Sequence, residues 1–141
     1  MPGLQPDEGT LRMTVEIKML AWSIYLGLAY VLLAATLTTQ ARGLSWNVGN
    51  RDGEAARLGG AAGRAQRACR NFLETFAFFA AAVLAVVLMK VTSPRTALAA
   101  QLYFWARLLY LPVYVIGIPY LRSAVWGVSF LGILMLVGAL L

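Results

Sequence analysis

The chain has 141 residues, of which 60% are hydrophobic and 13% charged, where soluble domains run roughly 45–50% apolar and about 25% charged. That excess excludes a disordered tail and points away from a water-soluble domain. Twelve basic against six acidic residues leave a charge of +6, histidine is absent and Cys69 stands alone, so His-ligated metals, His general bases and an intrachain disulfide are all excluded.

The chain opens on a short polar lead with Pro2, Pro6, Asp7, Glu8 and Arg12. Met19 to Ala41 then carries no charge. A bilayer core of about 30 Å needs about 20 apolar residues of helix, so a first span is predicted over 17–40. Its apolar run exceeds the roughly 7–15 residues of a signal-peptide core, and no clean small-x-small site follows, so it reads as a retained span. Residues 42–66 form the long polar loop, where Gly43, Gly49, Gly53, Gly59, Gly60 and Gly63 alternate with Arg42, Arg51, Asp52, Glu54 and Arg57. The second span is predicted over 70–90, and a short connection with Ser93-Pro94 as turn signal leads to a third over 96–117. Pro112 removes a backbone hydrogen bond from that third helix and is expected to kink it. A turn closed by Pro119 leads to the fourth span, 121–141. The fold class is therefore an all-α integral membrane protein, a single bundle of four transmembrane helices. A soluble bundle would show a polar stripe at helical period, which residues 19–37 and 123–141 hardly have.

Cationic residues set the orientation. Arg42, Arg51, Arg57, Arg64, Arg67, Arg70 and Arg122 lie on the side of the first and third loops, and Arg12, Lys18, Lys90 and Arg95 on the other. The richer side, with the first and third loops, is expected to be cytoplasmic. A nucleic-acid role for the positive charge is not indicated, because the arginines gather at membrane boundaries without a recognisable binding fold.

Polar residues inside or beside the spans mark the candidate site. Arg67, Arg70, Asn71 and Glu74 are spaced i, i+3, i+4, i+7, which places them on one helical face. Glu74 precedes an unbroken apolar run, where an unpaired carboxylate is costly, and Arg70 and Arg67 are its nearest partners in sequence. Snorkelling anchors are the alternative reading of this cluster, and Arg64 is expected to do nothing else. Helix three carries Tyr103, Arg107, Tyr110 and Tyr114 on one face. Arg107 lies deep in an apolar run and must face protein, water or an anion. One expectation is that it neutralises Glu74 from the neighbouring helix. Arg122-Ser123 opens the fourth helix with Trp126 one turn on, a start that suits either an anionic ligand or a plain cationic anchor. Small residues such as Gly27, Ala34, Ala81 and Ala85 permit close helix approach. Cys69 reads as a buried thiol, with a reactive thiol among arginines as the other reading.

The stretch Arg67-Ala68-Cys69-Arg70-Asn71-Phe72-Leu73-Glu74 resembles the R-A-x-x-N-x-x-E signature of the MAPEG family, the membrane-associated proteins in eicosanoid and glutathione metabolism. The resemblance extends to the four spans, Arg107 with Tyr114 seven residues on, and Arg122-Ser123. Its wording is most similar to the bacterial branch, which implies a bacterial inner membrane. The resemblance implies a homotrimer with glutathione between subunits near the cytoplasmic side. It further implies cofactor contacts from Arg67, Arg70, Asn71, Glu74, Arg107 and Tyr114, with Arg122 as the catalytic residue that holds the glutathione thiolate. The implied activity is a transferase or peroxidase acting on a small lipophilic electrophile that arrives through the bilayer. Tyr110 stands where the family's prostaglandin-forming member has a His, and Trp126 where it has a Tyr, so prostaglandin chemistry is not implied. The competing function is a non-enzymatic assembly protein or a small anion or drug transporter. Four-helix drug exporters use a carboxylate in the middle of their first helix, and the run from Met19 to Ala41 has none.

Overall fold

A computed structural model describes residues 13–141, so Arg12 and the polar lead lie outside the described residues. Five helices follow one another: α1 (Val15–Arg42), α2 (Leu44–Val48), α3 (Gly60–Leu88), α4 (Pro94–Ile116) and α5 (Pro119–Gly138). Among the described residues there is no strand. The helices α1, α3, α4 and α5 are long and apolar enough to cross a membrane. Their exposed side chains are largely Leu, Val, Ile, Phe and Trp, as expected where the solvent is lipid.

Local chemistry sets the helix ends. Thr14 caps α1 by accepting from Ile17 N at 3.3 Å, and Gly43 stops it at φ 87°. Ser93 and Thr96 form a reciprocal capping box at the start of α4, with Pro94 in the first turn, so the expected turn signal is also the helix start. Gly117 closes α4 in the left-handed region at φ 95°, and Pro119 opens α5. The helix α4 continues through Pro112.

The long loop is shorter and more structured than expected. It contains α2, and α3 begins at Gly60, inside the predicted loop and about ten residues ahead of the predicted membrane span. Glycines weaken helix propensity, which is why the sequence reads as a loop here. Packing overrides that: Ala62, Gly63, Ala65 and Ala68 are buried. Arg64 does more than snorkel, since its Nε donates to the Val115 carbonyl at 2.7 Å and so caps the C-terminal turn of α4.

The interior has two parts. One centres on Leu20, Phe79, Val83, Val86, Tyr103, Ile133 and Leu136, the other on Leu26, Tyr30, Ala68, Phe72 and Tyr110. An aromatic file joins them: Tyr30 stacks on Phe72 (4.6 Å), Phe72 on Phe76 (5.5 Å), and Phe79 on Tyr103 (3.8 Å). Two glycines allow the helices to meet. A Cβ on Gly27 would lie 2.8 Å from a Phe72 ring carbon, and one on Gly132 would lie 2.6 Å from the Ala99 carbonyl oxygen. At the membrane face opposite the α4–α5 turn, buried Glu16 accepts a hydrogen bond from Thr96 Oγ1 at 2.5 Å, tying the start of α1 to the start of α4.

Candidate functional site

Arg107 is fully buried on α4. Its Nη1 donates to Asn71 Oδ1 at 2.7 Å and its Nη2 to Thr75 Oγ1 at 2.8 Å, both on α3. The guanidinium carbon lies 5.6 Å from the Tyr103 ring and 5.2 Å from the Tyr110 ring, so aromatic faces flank the charge one turn below and above. Tyr30 of α1 donates its hydroxyl to the Arg107 carbonyl at 2.6 Å and pins the backbone at this level. Arg107 Nε is buried without a hydrogen-bond partner among the described residues.

This corrects one expectation. Arg107 does not neutralise Glu74: its terminal nitrogens go to an amide and a hydroxyl, while Glu74 is exposed at the edge of an apolar cleft that Thr75, Phe78, Ala81 and Phe130 also line. The reason is angular. At about 100° per residue, Glu74 sits about −20° and Asn71 about +40° from Arg67 around α3, with Arg70 at about −60°. Only the Asn71 edge of that arc turns towards α4. Thr75, one turn beyond Asn71, lies deeper on the same side.

Asn71 and Tyr110 also line a cavity of about 180 Å³ together with Arg122, Ser123 and Trp126. The Arg122 guanidinium stacks over Tyr114 at 4.8 Å, and Tyr114 packs on Tyr110 at 5.4 Å between centroids. Trp126 Nε1 is buried without a partner among the described residues. The structure therefore brings together Asn71, Arg107, Tyr114 and Arg122. It leaves Arg67, Arg70 and Glu74 exposed on the outward face of α3, away from that cavity. Cys69 is buried, and its cavity is a different one, between α1 and α3.

Two residues of this arrangement escaped the sequence reading. Thr75 could have been found as the next turn after Asn71 on the same side. Tyr30 has no sequence signal, since it is one uncharged residue within an apolar span.

A model of the MAPEG family matches residues 19–141, nearly the whole chain. No curated protein matches it in a sequence search.

Proposed function

The chain belongs to the MAPEG family, and from that premise we propose a membrane-embedded, glutathione-dependent transferase or peroxidase that acts on lipophilic electrophiles. Members of the family are generally associated with glutathione. The observation that carries the reading is Arg107, a buried cation held by two neutral acceptors, one of which, Asn71, lines the same cavity as Arg122. A guanidinium in that position favours an anion, because neither amide nor hydroxyl offsets its charge.

Glutathione carries two carboxylates, an ammonium and a thiol, and the donor set suits it. Arg67 and Arg70 can take carboxylates bidentately and Glu74 the ammonium, with Asn71, Arg107 and Tyr114 completing the cofactor site. The cavity of about 180 Å³ is smaller than the roughly 300 Å³ at which small-molecule pockets begin. The exposed Arg67, Arg70 and Glu74 thus fit a site completed by a second copy, and we read the assembly as a homotrimer. When bound, glutathione supplies a thiol whose ionised form attacks an electrophilic carbon or a peroxide oxygen. Arg122, fixed over Tyr114, lowers the energy of an anion in the cavity and needs no histidine base. We place the protein in a bacterial inner membrane, with the loop before α3 and the α4–α5 turn on the cytoplasmic side.

Calorimetry of the purified protein in detergent tests this. Saturable glutathione binding is expected, weakened by roughly 10- to 100-fold in Arg107→Gln or Glu74→Gln, the range for a lost charged hydrogen bond. Absence of binding at millimolar glutathione by folded protein refutes the reading. Uptake of a labelled anion into proteoliposomes without any conjugation, abolished by Arg107→Gln, would replace it with transport.

A further inference from the structure

The outer face of α4 and α5 carries a groove of about 280 Å³, walled by Leu98, Leu102 and Leu109 of α4 and by Val125 and Val128 of α5. It lies away from the candidate site. At about 100° per residue, Val125 and Val128 centre about 150° around α5 from Trp126 and Phe130, which face α3. A second copy seated on the exposed Arg67, Arg70 and Glu74 of α3 would leave this groove facing lipid.

The polar groups along the groove come in a definite order. Arg95 lies within about 20° of Leu102 around α4 and about 10 Å above it, so it heads the groove where α4 begins. Gln101 is half-buried in the groove, about 9 Å below Arg95. Helical side chains lean towards the N-terminus, which brings the Gln101 amide back up towards Arg95. The hydrogen bonds of this turn run among Ser93, Thr96 and Glu16. Among the described residues, neither the exposed Arg95 guanidinium nor the Gln101 amide has a hydrogen-bond partner. Trp105 follows about 15 Å below Arg95, at mid-depth of a core about 30 Å thick, and is 55% exposed there. Tryptophan otherwise gathers at the membrane–water boundaries, and its flat apolar side at mid-depth suits an acyl chain.

We propose that this groove binds a phospholipid of the leaflet at the α3–α4 turn, with its phosphodiester at Arg95, an ester carbonyl at the Gln101 amide and one acyl chain along Leu102, Trp105 and Leu109. The order of guanidinium, amide and apolar wall repeats the order of phosphodiester, ester and chain. A soluble anion would leave the wall bare, and a plain hydrocarbon would leave both polar groups unpaired. The planar fork of arginine can hold two phosphate oxygens at once. Lys18 and Lys90 are exposed at the same membrane face while Glu16 is buried, so the local potential favours the phosphate.

The full-length protein in detergent micelles provides the test. It is titrated with phosphatidylglycerol brominated at mid-chain, and the Trp105 signal is the difference between wild type and Trp105→Phe. Saturable quenching is expected. The diacylglycerol with the same brominated chains lacks the phosphate and should bind about fivefold more weakly, the factor that one arginine near the surface supplies. Arg95→Gln should weaken phosphatidylglycerol by about the same fivefold and leave the diacylglycerol unchanged. Gln101→Leu should weaken both by about two- to tenfold, since both carry esters. Lys18→Gln, at the same membrane face on α1, should weaken phosphatidylglycerol far less than Arg95→Gln. Equal quenching by both lipids, wild-type binding in Arg95→Gln, or an equal loss in Lys18→Gln overturns the proposal. So does a disulfide between copies through Leu98→Cys in a Cys69→Ala background, which would show that a second chain covers the groove.

Discussion

Thr75→Val isolates how the buried guanidinium is held. Valine keeps the shape of threonine and removes only the Oγ1 atom that accepts from Arg107 Nη2 at 2.8 Å. The Thr75 hydroxyl also donates to the Phe72 or Asn71 carbonyl at 3.1 or 3.2 Å. Losing that second bond matters little, because those carbonyls lie within α3 and keep their helical partners. Losing the first leaves a charged N–H unpaired in a fully buried side chain. A hydrogen bond to a charged group contributes about 1.5–3 kcal/mol, and an orphaned buried donor costs a similar amount. We therefore expect Thr75→Val to destabilise the protein by about 2 kcal/mol. The melting temperature of the detergent-solubilised protein should drop by about 4–8 °C, at about 2–4 °C per kcal/mol for a chain of this size. Thr75→Ser should recover most of the loss. The double variant Arg107→Met/Thr75→Val should be no less stable than Arg107→Met alone, since the charge that needed the hydroxyl is gone. Unchanged melting in Thr75→Val, or a serine variant no better than valine, refutes the reasoning.

Gly132→Ala should destabilise the protein more than Gly27→Ala, by thermal unfolding followed by circular dichroism. The new methyl on residue 132 meets the Ala99 backbone oxygen, which cannot rotate away, whereas on residue 27 it meets a Phe72 ring that can shift; overpacking of this kind costs about 1–3 kcal/mol, and equal losses would contradict the argument. At the other membrane face, Thr96→Val should cost at least about 1–3 kcal/mol, because it leaves the buried Glu16 carboxyl without its hydroxyl donor and the Ser93 N–H without its capping-box acceptor. Hydrogen exchange in the first turn of α1 should rise in that variant, and unchanged exchange there would show that Glu16 is satisfied in another way.

Much of the fold was legible in the chain because lipid leaves few choices. Four predominantly apolar runs of spanning length must be helices, and Ser93-Pro94, Gly117 and Pro119 mark ends that the structure keeps. The first turn of α3, from Gly60, was not legible, because glycine reads as loop unless neighbouring helices bury it, as they bury Ala62 and Gly63. The site divides the same way. That Arg107 needs a polar partner follows from its place in an apolar run. Which partner it takes does not, because spacing places Arg67, Arg70, Asn71 and Glu74 on one arc without saying which edge of the arc faces α4. Only the packing of α3 on α4 decided that Asn71 and Thr75 hold the guanidinium while Glu74 faces outward. The sequence by itself determined the solvent, the spans and the residues whose burial has to be compensated. Tertiary structure decided who compensates whom, since helix rotation and the contacts of Tyr30, Thr75 and Arg64 depend on side chains distant in the chain.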